Sequence, residues 1–286
     1  LHSSNSPFTT KEPWTFGPRA FGVISRFMRL RHRLIPMLYT AAWRAHTDAV
    51  AVVRPMYHDH PRAGEAYSVP NQYLLGEHLI VAPITTPEDR LAKLGAVRAW
   101  LPDGAWFDAF TGRRYDGGRH LTLHRALERV PVLARAGSVL PLADALAPVV
   151  DAPARLTLRV FPGDGVSHLA EDHGEGAPAE PNVTRFVQAL NLRDDGLADL
   201  RLTIEPTTGP DPLAGREIAL EIVGAVGVEG IDAEIVTDEL LSPALRVELG
   251  RVSSDGATVV LTGLHPATSD LVGDAFALLD AAEIAF

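Results

Sequence analysis

Short apolar runs separated by turn residues make up most of the chain, from about residue 67 to residue 261. Residues 79–84 and 97–101 are typical runs, and Pro-Asp-Gly at residues 102–104 and Asp-Gly-Gly at residues 116–118 are typical turns. Short strands that alternate with Gly- and Pro-rich turns are characteristic of antiparallel sheets packed face to face. The pattern therefore predicts a mainly β fold built from antiparallel β-sandwiches.

The alternation of apolar and polar residues is most regular in the second half of the chain. Apolar residues occupy every second position of residues 156–160, 200–204 and 218–222. A period of two places these side chains on one face of each strand and leaves the other face to polar residues. We therefore expect a second β domain here, joined to the first by the Pro- and Ala-rich residues 143–153. A long acidic loop is expected over residues 161–182.

The first part of the chain has a different pattern. Apolar residues follow a helical period over residues 19–49, and Pro36 lies inside this run, where we expect it to kink or break the helix. The apolar residues 49–53 indicate a strand buried on both faces, as in a parallel sheet. One helix and one such strand lack the neighbours that a parallel sheet needs. We expect those neighbours to lie upstream of Leu1.

Composition argues against several classes of protein. No apolar run approaches the roughly 20 residues that cross a bilayer, so we expect no membrane partner. Residues 1–60 contain eight Lys and Arg against three Asp and Glu, but the whole chain carries a net charge of −10 and would repel a nucleic acid. The chain has no cysteine, which excludes disulfides, thiol nucleophiles and cysteine-ligated zinc. This composition is compatible with the cytoplasm, the location that we expect, although a targeting segment would precede the residues seen here.

Two short motifs have alternative interpretations. His58, Asp59 and His60 offer three potential metal ligands, but no matching distant ligands are evident, and a solvated loop is the favoured interpretation. Residues 182–184 form the glycosylation sequon Asn-Val-Thr, which is frequent by chance. We therefore predict no metal site and no modification here.

Acidic residues of the 161–182 segment could supply oxygen ligands to calcium. The four carboxylates in question are those of Asp164, Glu171, Asp172 and Glu175. They lack the spacing of a known calcium-binding loop, so a flexible acidic surface loop is favoured.

Several motifs in residues 1–142 are more informative in combination than any one of them is alone. They are LHSSNSPF (1–8), KEPW (11–14), RHRLIPMLY (31–39), VVRPM (52–56), NQYLLGEHLIVAPI (71–84), LPDGAWFD (101–108), TG (111–112), VPV (130–132) and RAGS (135–138). In combination they resemble glycoside hydrolase family 31, the α-glucosidase and α-xylosidase family. A weaker resemblance continues at residues 171–175, where His173 departs from the family's double-Asp turn, and at residues 184–186.

The resemblance implies a domain organisation. Residues 1–62 would be the end of a (β/α)₈ barrel, contributing its last helix and last strand. Residues 63–146 would form a proximal β-sandwich and residues 147–286 a distal β-sandwich. The fold expected for the chain is thus mainly β, with two antiparallel β-sandwich domains after an incomplete TIM barrel.

The resemblance also implies a function. Family members are retaining glycosidases whose two catalytic aspartates lie on earlier barrel strands, so we assign no catalytic residue in this chain and expect it to be inactive alone. His2 matches the family histidine that hydrogen-bonds a sugar hydroxyl, and it is the one substrate-binding residue carried over. The partners implied are an α-linked oligosaccharide or glycoside and the upstream barrel, without a cofactor or metal. The alternative is a non-catalytic carbohydrate-binding or assembly protein, for which the aromatic-poor residues 154–286 offer little support.

Overall fold

The computed structural model describes residues 11–143, 152–172, 174 and 180–267. It begins with a 3-10 turn, Pro13–Phe16, followed by two helices, α1 (Gly17–Arg33) and α2 (Ile35–Thr47). The break between them falls at Leu34, next to the first turn of α2, where Pro36 costs no hydrogen bond. The predicted interruption at Pro36 is confirmed. No helix among the described residues has the length and apolar character needed to span a membrane.

The first β unit consists of a six-stranded antiparallel sheet and a two-stranded ribbon. Its strands are β1 (Val53–Pro55), β2 (Tyr73–Leu75), β3 (Leu79–Val81), β4 (Gly95–Leu101), β5 (Ala105–Asp108), β6 (Arg114–Asp116), β7 (Arg119–Arg125) and β8 (Val132–Arg135). The sheet has the order β1-β2-β3-β8-β5-β6, and β4 pairs with β7 in the ribbon. Between β1 and β2 lie the short helix α3 (Met56–Asp59) and a 3-10 turn, Gly64–Tyr67. Ile80 and Leu133 from the sheet share one core with Leu101 and Leu123 from the ribbon.

Strand β1 departs from the expectation of a parallel strand buried on both faces. It spans three residues, runs antiparallel to β2, and leaves Val53 54% exposed. Its central residue, Arg54, is buried because its guanidinium pairs with Asp59 and donates to the carbonyl oxygens of Ala51 and Gly76. The buried Arg54 side chain and the pairing with β2 therefore hold this segment together.

The second β unit contains two five-stranded sheets. One has the order β16-β17-β14-β10-β9 and the other the order β11-β12-β13-β18-β15. The strands are β9 (Val139–Ala143), β10 (Arg155–Val160), β11 (Gly165–Glu171), β12 (Asn182–Leu192), β13 (Ala198–Ile204), β14 (Gly215–Val223), β15 (Ala225–Gly227), β16 (Glu234–Val236), β17 (Ala244–Ser253) and β18 (Ala257–Pro266). Alternate residues of β10, β13 and β14 form one buried core between the sheets, which confirms the period-two pattern.

Three features of the second β unit depend on long-range pairing, and the first two correct the sequence expectations. Residues 161–182 are not one continuous loop, because β11 occupies Gly165–Glu171 and pairs with β12. Strands β10 and β14 pair in parallel, within sheets expected to be wholly antiparallel. Strand β9 pairs with β10, which joins Val139–Ala143 to the second β unit. Each feature depends on long-range pairing that local alternation does not encode.

Helices α1 and α2 pack between the two β units. Leu30 and Met37 belong to one apolar cluster with Phe107 of the first unit and with Phe161 and Val223 of the second. Ion pairs extend the contact from α1 to both units: Arg19 with Glu128, Arg29 with Glu239 and Arg33 with Asp238. The helix pair thus holds the two β units to one another through apolar packing and through charge.

The outer face of the β10–β14–β17 sheet contains a buried ionic group. Arg159 is 1% exposed, and its Nη1 donates to Glu221 Oε2 at 2.8 Å. Its Nη2 donates to Ser242 Oγ at 2.6 Å, and Arg246 shares the Glu221 carboxylate at 3.3 Å. Burial lowers the pKa of the Arg159 guanidinium, and the charge of Glu221 opposes that shift. Glu221 and Ser242 therefore compensate for the burial of the Arg159 charge.

We predict that Glu221→Gln lowers the free energy of unfolding by about 3–5 kcal/mol, because the substitution leaves Arg159 buried without a countercharge. Urea denaturation monitored by circular dichroism measures the change. Glu248→Gln is the matched control, since Glu248 pairs with Arg155 and Arg246 on the same sheet face but is 54% exposed. It should cost less than about 1 kcal/mol. Equal losses in both variants would contradict a special role for the buried pair.

Candidate functional site

The substrate-binding residue expected from the resemblance, His2, lies outside the described residues. The first described aromatic residue near it is Trp14, which is 68% exposed. The role of His2 therefore stays a prediction.

The His58-Asp59-His60 group is engaged in contacts that do not form a metal site. Asp59 ends α3 and pairs with Arg54 at 2.9 Å, and His58 Nδ1 lies 2.9 Å from Asp59 Oδ1. The His60 ring lies edge-on to Trp100, at 5.3 Å between ring centroids. Because α3 is helical, side chains two residues apart point in different directions. No group of three or more potential ligands among the described residues could hold a metal ion.

The acidic residues expected to form a flexible loop have separate partners. Glu171 is buried and makes a two-point ion pair with Arg216, and Asp164 Oδ1 accepts a hydrogen bond from Leu190 N at 2.8 Å. Asp172 accepts hydrogen bonds from the Tyr39 hydroxyl and from Gly174 N. The fourth carboxylate, of Glu175, lies outside the described residues, as does His173.

Contacts with α2 and β14 thus fix Glu171 and Asp172 in place. Burial and the hydrogen bond to Asp172 raise the pKa of Tyr39 to about 12, so its hydroxyl remains a donor at neutral pH. Arg216, the partner of Glu171, belongs to β14.

The asparagine of the Asn-Val-Thr sequon makes hydrogen bonds within the fold. Asn182 is buried, its Nδ2 donates to Asp211 O at 2.8 Å, and its Oδ1 accepts from Asp211 N at 3.1 Å. In the folded chain the side-chain amide of Asn182 is therefore engaged on both sides.

The densest polar cluster lies where α2, the β2–β3 turn and β11 meet, and we call it the Glu77 cluster. It consists of Arg44, Glu77, His78, Ser167 and His168. The Glu77 carboxylate lies 3.1 Å from Arg44 Nη1, 3.2 Å from His168 Nδ1 and 3.4 Å from His78 Nε2. Three basic groups from three separate elements therefore surround one carboxylate.

The local fold explains why Glu77 reaches this position. Gly76 opens the β2–β3 turn with φ +61°, a conformation that costs glycine little. A Cβ on Gly76 would also lie 3.0 Å from Met37 Sδ of α2. The missing side chain thus allows the turn to approach the helix closely enough for Glu77 to meet Arg44.

The electrostatics of the cluster keep Glu77 ionised. Burial alone would raise its pKa, but hydrogen bonds from His168 and His78, together with their charges, hold the pKa of Glu77 well below its ordinary value of 4.5. A carboxylate in this state accepts hydrogen bonds and cannot serve as a proton donor near neutral pH.

The Glu77 cluster contains the residue types of a Ser-His-acid triad without its geometry. Ser167 Oγ lies 3.0 Å from His78 Nε2, the same ring nitrogen that faces Glu77. A catalytic relay needs the acid on one ring nitrogen and the nucleophile on the other. Ser167 is also 1% exposed and accepts a hydrogen bond from Val139 N. The cluster is therefore a structural junction rather than a nucleophilic site.

A second notable surface is the outer side of the first helix, which we call the apolar patch: Trp14, Phe16, Phe21 and Met28, all 43–68% exposed. Phe21 and Met28 are seven residues apart and share one face of α1, whereas Phe27 and Leu30 on the opposite face pack against the β units. Helix α1 thus carries apolar residues on two faces, of which one is covered by described residues.

Comparisons with known proteins connect these features to one family. Residues 49–140 match the family profile described as Glycosyl hydrolase family 31 C-terminal domain. The chain is 31% identical over 173 residues to an α-xylosidase of Saccharolobus solfataricus, covering 57% of this chain and 22% of that protein. It is 32% identical over 137 residues to α-glucosidase 2 of Bacillus thermoamyloliquefaciens, covering 48% of this chain and 17% of that protein. The chain thus spans about a fifth of the length of these relatives.

Solved structures show the same fold over most of the described chain. A family 31 α-xylosidase from Xanthomonas citri superposes with a TM-score of 0.67 at 25% identity, covering 88% of this chain and 26% of that one. A cycloalternan-forming enzyme from Listeria monocytogenes, in complex with a pentasaccharide substrate, superposes with a TM-score of 0.71 at 18% identity, covering 93% of this chain and 26% of that one.

We predict that Glu77 contributes to acid sensitivity. Because its pKa is lower in the folded state, its contribution is complete above the unfolded pKa of about 4.5 and is lost as the pH falls below that value. The free energy of unfolding should therefore fall below about pH 5, and Glu77→Gln should flatten that fall by about 2–3 kcal/mol. Urea denaturation at a series of pH values from 7 to 3 measures it. Glu234→Gln, an exposed acid, should leave the profile unchanged, and an unchanged profile in Glu77→Gln would contradict the assignment.

Proposed function

We propose that this chain is the C-terminal part of a retaining α-glycosidase acting on α-linked glucosides or xylosides, because residues 49–140 match the profile of the family 31 C-terminal domain. The observation that carries the proposal is the similarity to both an α-xylosidase and an α-glucosidase at 31–32% identity. Such an enzyme uses two carboxylates about 5–5.5 Å apart, one as nucleophile and one as acid and base.

We propose that both catalytic aspartates belong to the upstream part of the enzyme and that this chain alone is inactive. The state of the buried carboxylates supports this view. Asp108 pairs with Arg125, Glu171 with Arg216, and Glu221 with Arg159. All three carboxylates are buried and engaged with arginine, which leaves them unavailable to a substrate. No metal or organic cofactor is part of the proposal.

We propose that residues 1–62 close the barrel of the complete enzyme. The two apolar faces of α1 support this role, because one face packs on the β units and the other leaves the apolar patch uncovered by described residues. The exposed Val53 of β1 would face the same partner. In this arrangement residues 63–146 and 147–286 form the proximal and distal sandwiches.

His2 would then lie at the C-terminal end of the barrel, where active sites of this architecture are found. An imidazole in that place can donate a hydrogen bond to a sugar oxygen and accept one from a hydroxyl.

The first test measures nitrophenol release from aryl α-glucoside and α-xyloside. We expect no turnover by this chain alone, because it would lack the nucleophile and the acid, and turnover when the chain is co-produced with the polypeptide encoded upstream. Turnover by the chain alone, abolished by changing a single Asp or Glu within it, would contradict the proposal.

Variants of the apolar patch test the barrel contact. Phe21→Asp and Met28→Asp should reduce the activity of the co-produced complex at least about tenfold, because a charge would be buried at the contact. Leu192→Asp is the matched control, since Leu192 is 76% exposed at the end of β12, in the second β unit. Equal effects of all three variants would argue against a specific contact.

A further inference from the structure

A cleft of about 630 Å³ opens in the first β unit beside the β4–β7 ribbon. Its volume is within the range of roughly 300–1,000 Å³ that small-molecule sites occupy. Trp100 and Trp106 form part of its wall, and both are more than nine-tenths buried. Because both indoles are packed in the core of the first β unit, the part of the wall that they form is fixed.

Two interlocked turns fix one side of the cleft. Gly117 N in the β6–β7 turn donates to Gly104 O in the β4–β5 turn at 2.7 Å. A Cβ on Gly117 would lie 1.9 Å from Pro102 O, and a Cβ on Gly118 would lie 2.7 Å from Asp103 Oδ1. The turns can therefore pack this closely only because the glycines have no side chains. The Asp103 carboxylate lies beside Gly118 on the rim of the cleft.

The opposite side of the cleft is also anchored. Arg135 ends β8 directly across from Trp106 of β5, and its backbone N–H donates to His78 O at 3.0 Å. The His60 ring lies edge-on to Trp100, and Glu65 follows in the next 3-10 turn. The wall residues thus come from several elements whose backbones are fixed by hydrogen bonds or by packing.

Four polar side chains of the wall have hydrogen-bonding groups that are not used within the described part of the chain. They are His60, Glu65, Asp103 and Arg135, none of which makes a side-chain hydrogen bond or ion pair with another described residue. By contrast, the carboxylates of Asp59 and Glu77, which also reach the cleft, are paired with Arg54 and Arg44. The free groups are two acceptor carboxylates, one guanidinium donor and one imidazole.

This combination fits one class of ligand. Hydroxyl groups donate to carboxylates and accept from a guanidinium, which are the groups that the cleft leaves free. Two free carboxylates against one free guanidinium disfavour a small anion. We propose that the cleft binds a neutral mono- or disaccharide, with Glu65 and Asp103 accepting hydrogen bonds from its hydroxyls and Arg135 donating to its oxygens. This site is separate from the proposed catalytic function and requires no turnover.

Isothermal titration calorimetry of maltose into the whole chain tests the proposal. We expect saturable binding with a Kd of about 1 mM, and at least about tenfold weaker binding in Asp103→Ala and in Arg135→Ala. Both residues are exposed, so truncation should leave the fold intact, which circular dichroism checks. The indole N–H resonance of Trp106, which donates to Pro102 O beside the cleft, should shift during the titration.

Arg114→Ala and Asp116→Ala are matched controls, because these residues form an exposed ion pair on β6 outside the cleft. Both should bind maltose like the parent chain. Absence of saturable binding up to about 50 mM maltose would overturn the proposal, as would tighter binding of inorganic phosphate than of maltose. Binding that the two cleft variants leave unchanged would also overturn it. Because calorimetry detects binding without turnover, failure here would leave the catalytic proposal to be judged by its own assay.

Discussion

The arrangement of the two β units depends on the contacts that α2 makes at the Glu77 cluster. One carboxylate there is shared by Arg44 of α2, His78 of the β2–β3 turn and His168 of β11. A partly buried carboxylate is tolerated only where basic groups and hydrogen bonds compensate for lost hydration. The cluster is thus stable only when helix, turn and strand are all in place, which makes their assembly cooperative.

A neighbouring hydrogen bond also joins α2 to β11. Thr40 of α2 is buried, its hydroxyl donates to Pro36 O, and it accepts a hydrogen bond from Ala170 N of β11. One side chain therefore satisfies backbone groups on a helix and on a strand 130 residues apart in sequence. Such polar contacts add direction to the apolar packing around Met37 and Phe161, because hydrogen bonds have geometric requirements that apolar packing lacks.

The parts of the fold that the sequence predicted are those with a local signature. Alternation in β10 and the position of Pro36 depend on neighbouring residues, and both predictions were confirmed. The structure of the acidic segment could not be predicted in the same way. Its charges resemble a solvated loop until Arg216 is known to lie opposite Glu171, 45 residues away. The parallel pairing of β10 with β14 likewise has no local signal.

The Glu77 cluster shows the same difference between what local sequence predicts and what long-range contacts determine. The sequence identified the Gly76-Glu77-His78 motif through its resemblance to a family, but nothing near it indicated His168, 91 residues further along the chain. Polar residues in this protein are either paired within the fold or left with unused hydrogen-bonding groups, and only the fold shows which. Buried carboxylates such as Asp108 and Glu221 are paired with arginine and contribute to stability. Asp103 and Glu65, on the rim of a cleft, retain their hydrogen-bonding capacity, and unused capacity beside aromatic walls is what recognition of a ligand requires.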